Sequence, residues 1–123
     1  MVTGVVFNGA SRRKHEATEQ ARRRDTNESI AESIQRTRRV SANAFFCECA
    51  DPRCDRTVSL TIQEYESVRN RPSHFLVVLN HENPEVETVI LETTRFAIVE
   101  TLTGEASKVA LRTDPRALEQ PRE

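Results

Sequence analysis

The first part of the chain is polar, with one short amphipathic segment. Residues 1–25 show no apolar periodicity and contain clusters of basic residues, which predicts a disordered basic arm. A helix is predicted from about 28 to 40, where Ile30, Ala31 and Ile34 form a narrow apolar stripe. A helix with so narrow an apolar face needs a partner surface. That surface belongs either to its own domain or to a second copy of the chain, so a homodimer through this helix is one option.

The second part of the chain alternates short apolar segments with turn residues. Strands are predicted at 44–48, 57–60, 75–79, 86–92 and 95–101, and the wholly apolar segment 75–79 is expected to be the central strand. Thr61 and Glu64 match the capping box and predict a helix over 62–70. A further short helix is predicted over 105–112.

These elements predict one α+β domain over residues 26–116. It would contain a small antiparallel sheet, a leading N-terminal helix and one or two short helices. The last residues, 117–123, are expected to be frayed because they follow the stop at Asp114-Pro115 at the end of the chain.

The composition indicates a core that is thin for the length of the chain. Of 123 residues, 37% are hydrophobic and 30% are charged, with no Trp and a single Tyr. Small domains with such a deficit often gain stability from a bound metal or from disulfides.

The net charge of −1 conceals an asymmetry between the two parts. Residues 1–43 contain nine basic and five acidic residues, whereas residues 44–123 contain nine basic and fourteen acidic ones. The basic clusters within residues 12–24 make nucleic-acid binding through this arm one alternative function.

No secretory signal and no apolar segment long enough to cross a bilayer are apparent, so the cytoplasm is the expected location and no membrane association is predicted. The three cysteines are an odd number, which argues against a disulfide framework.

All three cysteines lie within eight residues, at Cys47, Cys49 and Cys54. Residues two apart in a strand share a face, so Cys47 and Cys49 should direct both sulfurs to one point. The turn residues Asp51-Pro52-Arg53 let Cys54 return to the same point. Thiolates are soft ligands that suit tetrahedral Zn²⁺, and the pattern therefore predicts a zinc-binding segment.

A closed site needs a fourth ligand, for which histidine is the natural candidate. His81 is preferred because it follows the apolar segment 75–79, where a loop can reach back over the cysteines. His74, just before that segment, is the competitor. His15 lies in the basic arm and is not expected to be a ligand.

Two other interpretations of the cysteines remain open. They could be small buried side chains, although the polar residues around Cys54 argue against this. Alternatively, Cys47 or Cys49 could pair with Cys54 in a redox switch. No HExxH motif or nucleophile elbow occurs, and Glu48 should point away from the metal-facing side of its strand, so no enzyme activity is predicted.

At these positions the chain resembles a group of small uncharacterised proteins that are common in actinobacteria. The resemblance covers about residues 27–116 and consists of Phe46-Cys47-Glu48-Cys49, Cys54, Leu60-Thr61, Glu64-Tyr65-Glu66, Val68-Arg69, Pro72, Phe75, His81-Glu82, Pro84-Glu85, Val99-Glu100, Gly104-Glu105-Ala106 and Asp114-Pro115-Arg116. The pattern includes the histidine at the His81 position, which supports the choice of His81. The chain departs from it at Leu79-Asn80, where relatives tend to have Pro-Gly. The resemblance implies no activity.

The sequence thus predicts a non-enzymatic small domain with a structural Cys₃His zinc site formed by Cys47, Cys49, Cys54 and His81. Its expected role is a regulatory protein–protein interaction module with a protein partner. Nucleic-acid binding through residues 12–24 and a zinc-thiolate redox switch are the alternatives.

Overall fold

The computed structural model describes residues 9–38, 41–102 and 104–118. Its helices are α1 (Gly9–Thr37), α2 (Ile62–Val68) and α3 (Glu105–Arg112), and a 3₁₀ turn follows at Pro115–Leu118. Its strands are β1 (Asn43–Phe46), β2 (Thr57–Leu60), β3 (His74–Val77), β4 (Glu87–Glu92) and β5 (Ala97–Thr101). This combination of helices with antiparallel strands confirms the predicted α+β fold class.

The strands form two small antiparallel sheets. β1 pairs with β2, and the second sheet has the order β3-β5-β4. The central strand is therefore β5, and the prediction that the apolar segment 75–79 is central was wrong. β3 is nevertheless buried at all four residues. Its outer edge meets the chain that follows β1, where the N–H of Glu48 donates to the carbonyl of Leu76 at 2.7 Å.

The predicted capping box of α2 is confirmed. The Thr61 hydroxyl accepts a hydrogen bond from the N–H of Glu64 at 3.2 Å, and the Glu64 carboxylate accepts one from the N–H of Thr61 at 2.9 Å. Further along α2, the Tyr65 ring stacks on Phe45 of β1 with their centroids 4.5 Å apart and an interplanar angle of 5°. This contact fixes α2 against the first sheet.

The main apolar core lies between the two sheets, α2 and the C-terminal half of α1. Its larger buried members are Ile34, Phe45, Leu60, Tyr65, Val68, Phe75, Leu76, Val77, Phe96, Ile98 and Val99. A second, smaller cluster of Ala17, Ala21 and Val109 joins the N-terminal half of α1 to α3.

Helix α1 differs most from the sequence prediction. It begins at Gly9, whereas the predicted helix started near 28, so the prediction of a disordered arm is wrong for residues 9–25. Residues 1–8 of that arm, and residues 39–40 at the predicted end of the helix, lie outside the described residues. The predicted stripe is nonetheless present, since Ala31 and Ile34 are buried and Ile30 is half-buried.

The other elements agree with the predicted positions to within a few residues. A hairpin at Thr93-Thr94 joins β4 to β5, and the N–H of Thr93 donates to the carbonyl of Phe96 at 2.8 Å. The 3₁₀ turn includes the first two residues of the predicted frayed tail, and residues 119–123 lie outside the described residues. None of the helices in the described part of the chain is long and apolar enough to cross a membrane.

Candidate metal centre

Residues 47–54, which we call the knuckle, connect β1 to β2. The N–H of Cys47 donates to the carbonyl of Arg56 at 3.0 Å, so the two arms of the knuckle stay paired just beyond the strands. At its tip, the N–H of Cys54 donates to the carbonyl of Asp51 at 3.0 Å, which closes a tight turn. The turn reverses the chain and brings Cys54 back beside Cys47 and Cys49.

A second turn, after β3, brings His81 to the knuckle. The N–H of His81 donates to the carbonyl of Val78 at 2.9 Å, and Asn80 adopts a left-handed backbone with φ of 70°. Asparagine tolerates this conformation better than most residues. The N–H of Val78 donates to the sulfur of Cys47 at 3.2 Å, which anchors the turn to the knuckle.

The two turns place four ligand atoms close together. The sulfurs of Cys47, Cys49 and Cys54 and a ring nitrogen of His81 all lie within 4.8 Å of one another. The Nδ1 atom of His81 is 3.6 Å from the sulfur of Cys47 and 3.6 Å from that of Cys54. The group is close enough to bind a metal ion, and it consists of the four residues that the sequence singled out.

The other two histidines lie elsewhere. His74 is on β3, where its Nε2 is 3.8 Å from the Glu100 carboxylate and where burial lowers its pKa. His15, on α1, lines an open polar cleft of about 550 Å³ that borders Cys49 and His81, but it is not one of the four clustered ligands. The structure therefore brings His81, and not His74, to the cysteines.

The cysteine thiols have unequal acidities before any metal is considered. Cys47 and Cys49 are buried and joined by a hydrogen bond, while Cys54 is half-buried. That hydrogen bond lowers the pKa of Cys49 to about 5; the same bond, together with burial, raises the pKa of Cys47. A thiolate is thus already favoured at one position of the group, and thiolates are the form that binds metals.

Glu48 lies between two cysteines and points away from their sulfurs, as predicted, but its side chain is buried in the protein interior, which the sequence did not predict. One carboxylate oxygen accepts from the N–H of Leu76 at 2.9 Å, and the other accepts from the Asn27 amide at 2.9 Å and from the Tyr65 hydroxyl at 3.5 Å. Burial raises the pKa of Glu48, and the hydrogen bonds from Leu76 and Asn27 oppose this shift. Glu48 therefore joins the knuckle to β3, α1 and α2 and is not positioned as a base at the metal centre.

Helix α1 contacts the knuckle through polar side chains that the sequence analysis missed. Arg23 donates to the carbonyls of Cys47 at 3.2 Å and Asp51 at 2.7 Å. Asn27 donates to the carbonyl of Phe46 and accepts from its N–H, both at 2.8 Å. Gln20 donates to the carbonyl of Glu48 at 3.4 Å and to the Glu87 carboxylate. Three side chains of one helix thus bind backbone groups of the cysteine-containing segment.

The arginine triplet at 22–24 is largely occupied within the protein. Arg24 is buried, donates to the carbonyls of Pro72 at 2.7 Å and Ala110 at 2.9 Å, and lies over the Phe75 ring. Burial lowers its pKa. Of the three arginines, Arg22 alone has a largely exposed side chain, and it pairs with Glu19 at 2.7 Å. The nucleic-acid hypothesis for residues 12–24 therefore loses Arg24 as a phosphate ligand, because that side chain does not reach the surface.

A comparison of the chain with protein-family models, with curated proteins and with solved structures finds no match in any of the three. The resemblance to the group of small actinobacterial proteins therefore stays a prediction, and the candidate metal centre is the basis for the proposed function.

Proposed function

We propose that this protein is a non-enzymatic small domain stabilised by one structural Zn²⁺, held by Cys47, Cys49, Cys54 and His81. The observation that carries the proposal is the distance of 3.6 Å from Nδ1 of His81 to two of the sulfurs. In a tetrahedral site, Zn–S bonds near 2.3 Å and Zn–N bonds near 2.0–2.1 Å place sulfur and nitrogen about 3.6 Å apart. The spacing of these ligand atoms thus fits zinc.

The donor set supports a structural rather than a catalytic ion. Three thiolates and one imidazole fill a tetrahedron, whereas a catalytic zinc keeps one position for water or substrate. Glu48, the acid between Cys47 and Cys49 in the sequence, is engaged in the interior by three hydrogen-bond donors. A structural site also suits a thin core, since zinc binding contributes directly to the free energy of folding.

The biological role that we propose for this domain is that of a regulatory protein–protein interaction module. Support comes from the edge strand β4, which pairs with β5 on one side and exposes two apolar side chains, Ile90 at 44% and Leu91 at 48%. Exposed apolar residues on a sheet edge are a common feature of surfaces that bind other proteins.

Elemental analysis of the purified protein tests the zinc site. We expect about one zinc per chain in the parent, and its loss in both Cys54→Ser and His81→Ala, because three remaining ligands leave the tetrahedron open. The matched control is His74→Gln, which changes the competing histidine and should leave the zinc content unchanged. A parent protein without bound zinc after purification and zinc reconstitution, or retention of zinc by the His81→Ala variant, contradicts the proposal.

A redox switch at the same centre is a second candidate, favoured by the partial exposure of Cys54. The Cys54 thiolate would attack hydrogen peroxide and, with one proton, give a sulfenic acid and water. The thiolate of Cys47 or Cys49 would then displace a second water, with another proton, to form a disulfide. Two electrons pass from the thiolates to the peroxide, and zinc loses two ligands.

Peroxide treatment separates this candidate from a purely structural site. The redox switch predicts zinc release, followed with a chromophoric chelator, together with a disulfide that includes Cys54 in the mass spectrum. An unchanged zinc content after oxidation argues against a switch and leaves the structural site intact.

A further inference from the structure

A zinc ion with three thiolates and a neutral imidazole has a net charge of −1. Two of the three cysteines are buried, and in a buried setting an uncompensated charge is costly. The N–H of Val78 supplies one hydrogen bond to the Cys47 sulfur but no charge. A metal centre of this composition is therefore stabilised by a positive charge held close to it.

Arg23 of α1 is placed to supply that charge. Its side chain is 13% exposed, and its guanidinium donates to the carbonyl of Cys47 on one arm of the knuckle and to that of Asp51 at the turn. Burial lowers the pKa of Arg23, but the hydrogen bond to Glu19 and the nearby Cys49 and Cys54 sulfurs outweigh this and raise it. Its nearest acid, Glu19, is 3.4 Å away and pairs more closely with Arg22, at 2.7 Å.

The geometry of these contacts points to a second role. Cys47 begins the knuckle and Asp51 is the residue whose carbonyl accepts from Cys54. A single planar guanidinium that binds both carbonyls holds the first ligand at a fixed distance from the turn that carries the last one. Arg53, which belongs to the knuckle itself, has an exposed side chain near Asp51 and makes no comparable link between the two arms.

We propose that Arg23 is the positioning residue of the metal centre, joining the two arms of the knuckle and offsetting the surplus negative charge of the zinc-bound thiolates. This inference rests on the proposed zinc site and deepens it. Because coupling between two equilibria is reciprocal, zinc bound at the knuckle also stabilises the docking of α1 around residues 20–27. Arg23, which lies in the segment predicted to be a disordered basic arm, thereby becomes part of the metal centre.

Zinc affinity measured by competition with a chromophoric chelator tests the proposal. Arg23→Gln removes the charge but keeps an amide donor, and we expect a zinc affinity about 10–100-fold weaker, as is usual for residues that orient metal ligands. Arg23→Lys keeps the charge without the planar fork and should recover part of the loss. The matched control is Arg22→Gln, which changes the neighbouring arginine, whose guanidinium donates to Glu19 and not to a carbonyl of the knuckle. It should bind zinc as the parent does.

Hydrogen exchange of the same proteins measures how zinc affects the docking of α1, which would not change if Arg23 only stabilised the fold. In the parent and in Arg22→Gln, zinc should slow the exchange of amides in residues 20–27, and this zinc dependence should shrink in Arg23→Gln. If Arg23→Gln binds zinc as tightly as Arg22→Gln, the inference is overturned while the zinc site stands. If the parent binds no zinc, both proposals fail. Should Arg23→Gln not fold, equal zinc affinity in Arg23→Lys and the parent would overturn the role of the planar guanidinium in joining the two arms, and a weaker affinity in Arg23→Lys would support it.

Discussion

Two of the polar attachments of helix α1 to the rest of the protein use opposite chemistry. In the middle of the helix, Gln20, Arg23 and Asn27 bind mainly neutral backbone groups of residues 46–51. The next residue, Glu28, accepts hydrogen bonds from two arginines. These belong to a group that we call the ion-pair cluster, which consists of Glu28, Glu66, Arg69, Asp114 and Arg116.

In the ion-pair cluster, each acidic side chain is paired with an arginine of the same chain. Arg69, whose side chain is fully buried, pairs with Glu28 at 2.5 Å and with Asp114. Arg116 pairs with Glu28 at 2.7 Å and with Glu66 at 2.8 Å. Two cations therefore face three acids, all supplied by the chain itself, and the cluster joins α1, α2 and the segment after α3 without any external ligand.

The knuckle differs, because it contains three of the four candidate metal ligands. Its backbone carbonyls accept hydrogen bonds from α1, and its three sulfurs lie within 4.8 Å of one another and of a ring nitrogen of His81. We therefore expect the attachment of α1 to the knuckle to depend on a bound ion, and its attachment through the ion-pair cluster not to. The predictions below test this difference.

Removal of zinc should have the largest effect, and it should be confined to one attachment. A ligand present at a thousandfold over its dissociation constant stabilises a fold by about 4 kcal/mol, so chelation should lower the free energy of unfolding by roughly that amount or more. Calorimetry with and without chelator measures the total. Hydrogen exchange should rise in the knuckle and at residues 20–27 and stay low around Arg69; a uniform rise over the whole chain contradicts two separate attachments.

Arg69→Met tests the ion-pair cluster and should be next in size. The substitution leaves Asp114 and part of Glu28 as buried acids without their cation, which costs roughly 3–5 kcal/mol. Chemical denaturation of the zinc-bound protein measures it. The control is Arg71→Met, which removes a mostly exposed arginine 4.0 Å from Glu100 and should change stability by less than about 0.5 kcal/mol. Equal effects of the two substitutions would show that the buried cluster contributes no more than a surface pair.

The smallest effect concerns Glu66 and pH. The hydrogen bond from Arg116 lowers the pKa of Glu66. The folded state thus favours the carboxylate, so this contribution is present above the unfolded pKa of about 4.5 and is lost as the pH falls below it. Glu66 is partly exposed, and Glu66→Gln should cost less than about 1 kcal/mol at pH 7. The difference from the parent should vanish in acid denaturation series near pH 3; a difference that persists there contradicts the ionic origin.

The elements predicted correctly from the sequence are those that depend on interactions between residues close together in the chain. The capping box of Thr61 and Glu64, strand β2 and helix α3 each depend on neighbouring residues, and each appears where it was predicted. The clustering of the candidate ligands was also predictable, because turn residues reverse the chain between Cys49 and Cys54 and a loop follows the strand before His81. In contrast, the position of β5 between β3 and β4 is a matter of long-range pairing, which apolar content alone does not specify.

Helix α1 shows why the rest could not be predicted. Its buried positions recur at helical spacing, through Ala17, Ala21, Arg24, Asn27, Ala31 and Ile34. A search for apolar periodicity passes over this face, because its members are small or polar in the N-terminal half. Arg24 and Asn27 can be buried because carbonyls and other partners on distant elements accept hydrogen bonds from them.

The sequence by itself determined the local elements, the α+β class and the three cysteines of the candidate metal centre, with His81 preferred to His74 as the fourth residue. These features follow from short-range rules: helical and strand periodicity, capping, turn chemistry and the spacing of soft ligands. Only the tertiary structure decided that residues 9–25 form a helix and that Arg23 of this helix donates hydrogen bonds to the knuckle. It also decided that Glu48 faces the interior, where its carboxylate accepts hydrogen bonds from α1, α2 and β3. Whether a polar side chain is buried depends on partners far away along the chain, and only the folded protein brings those partners within hydrogen-bonding distance.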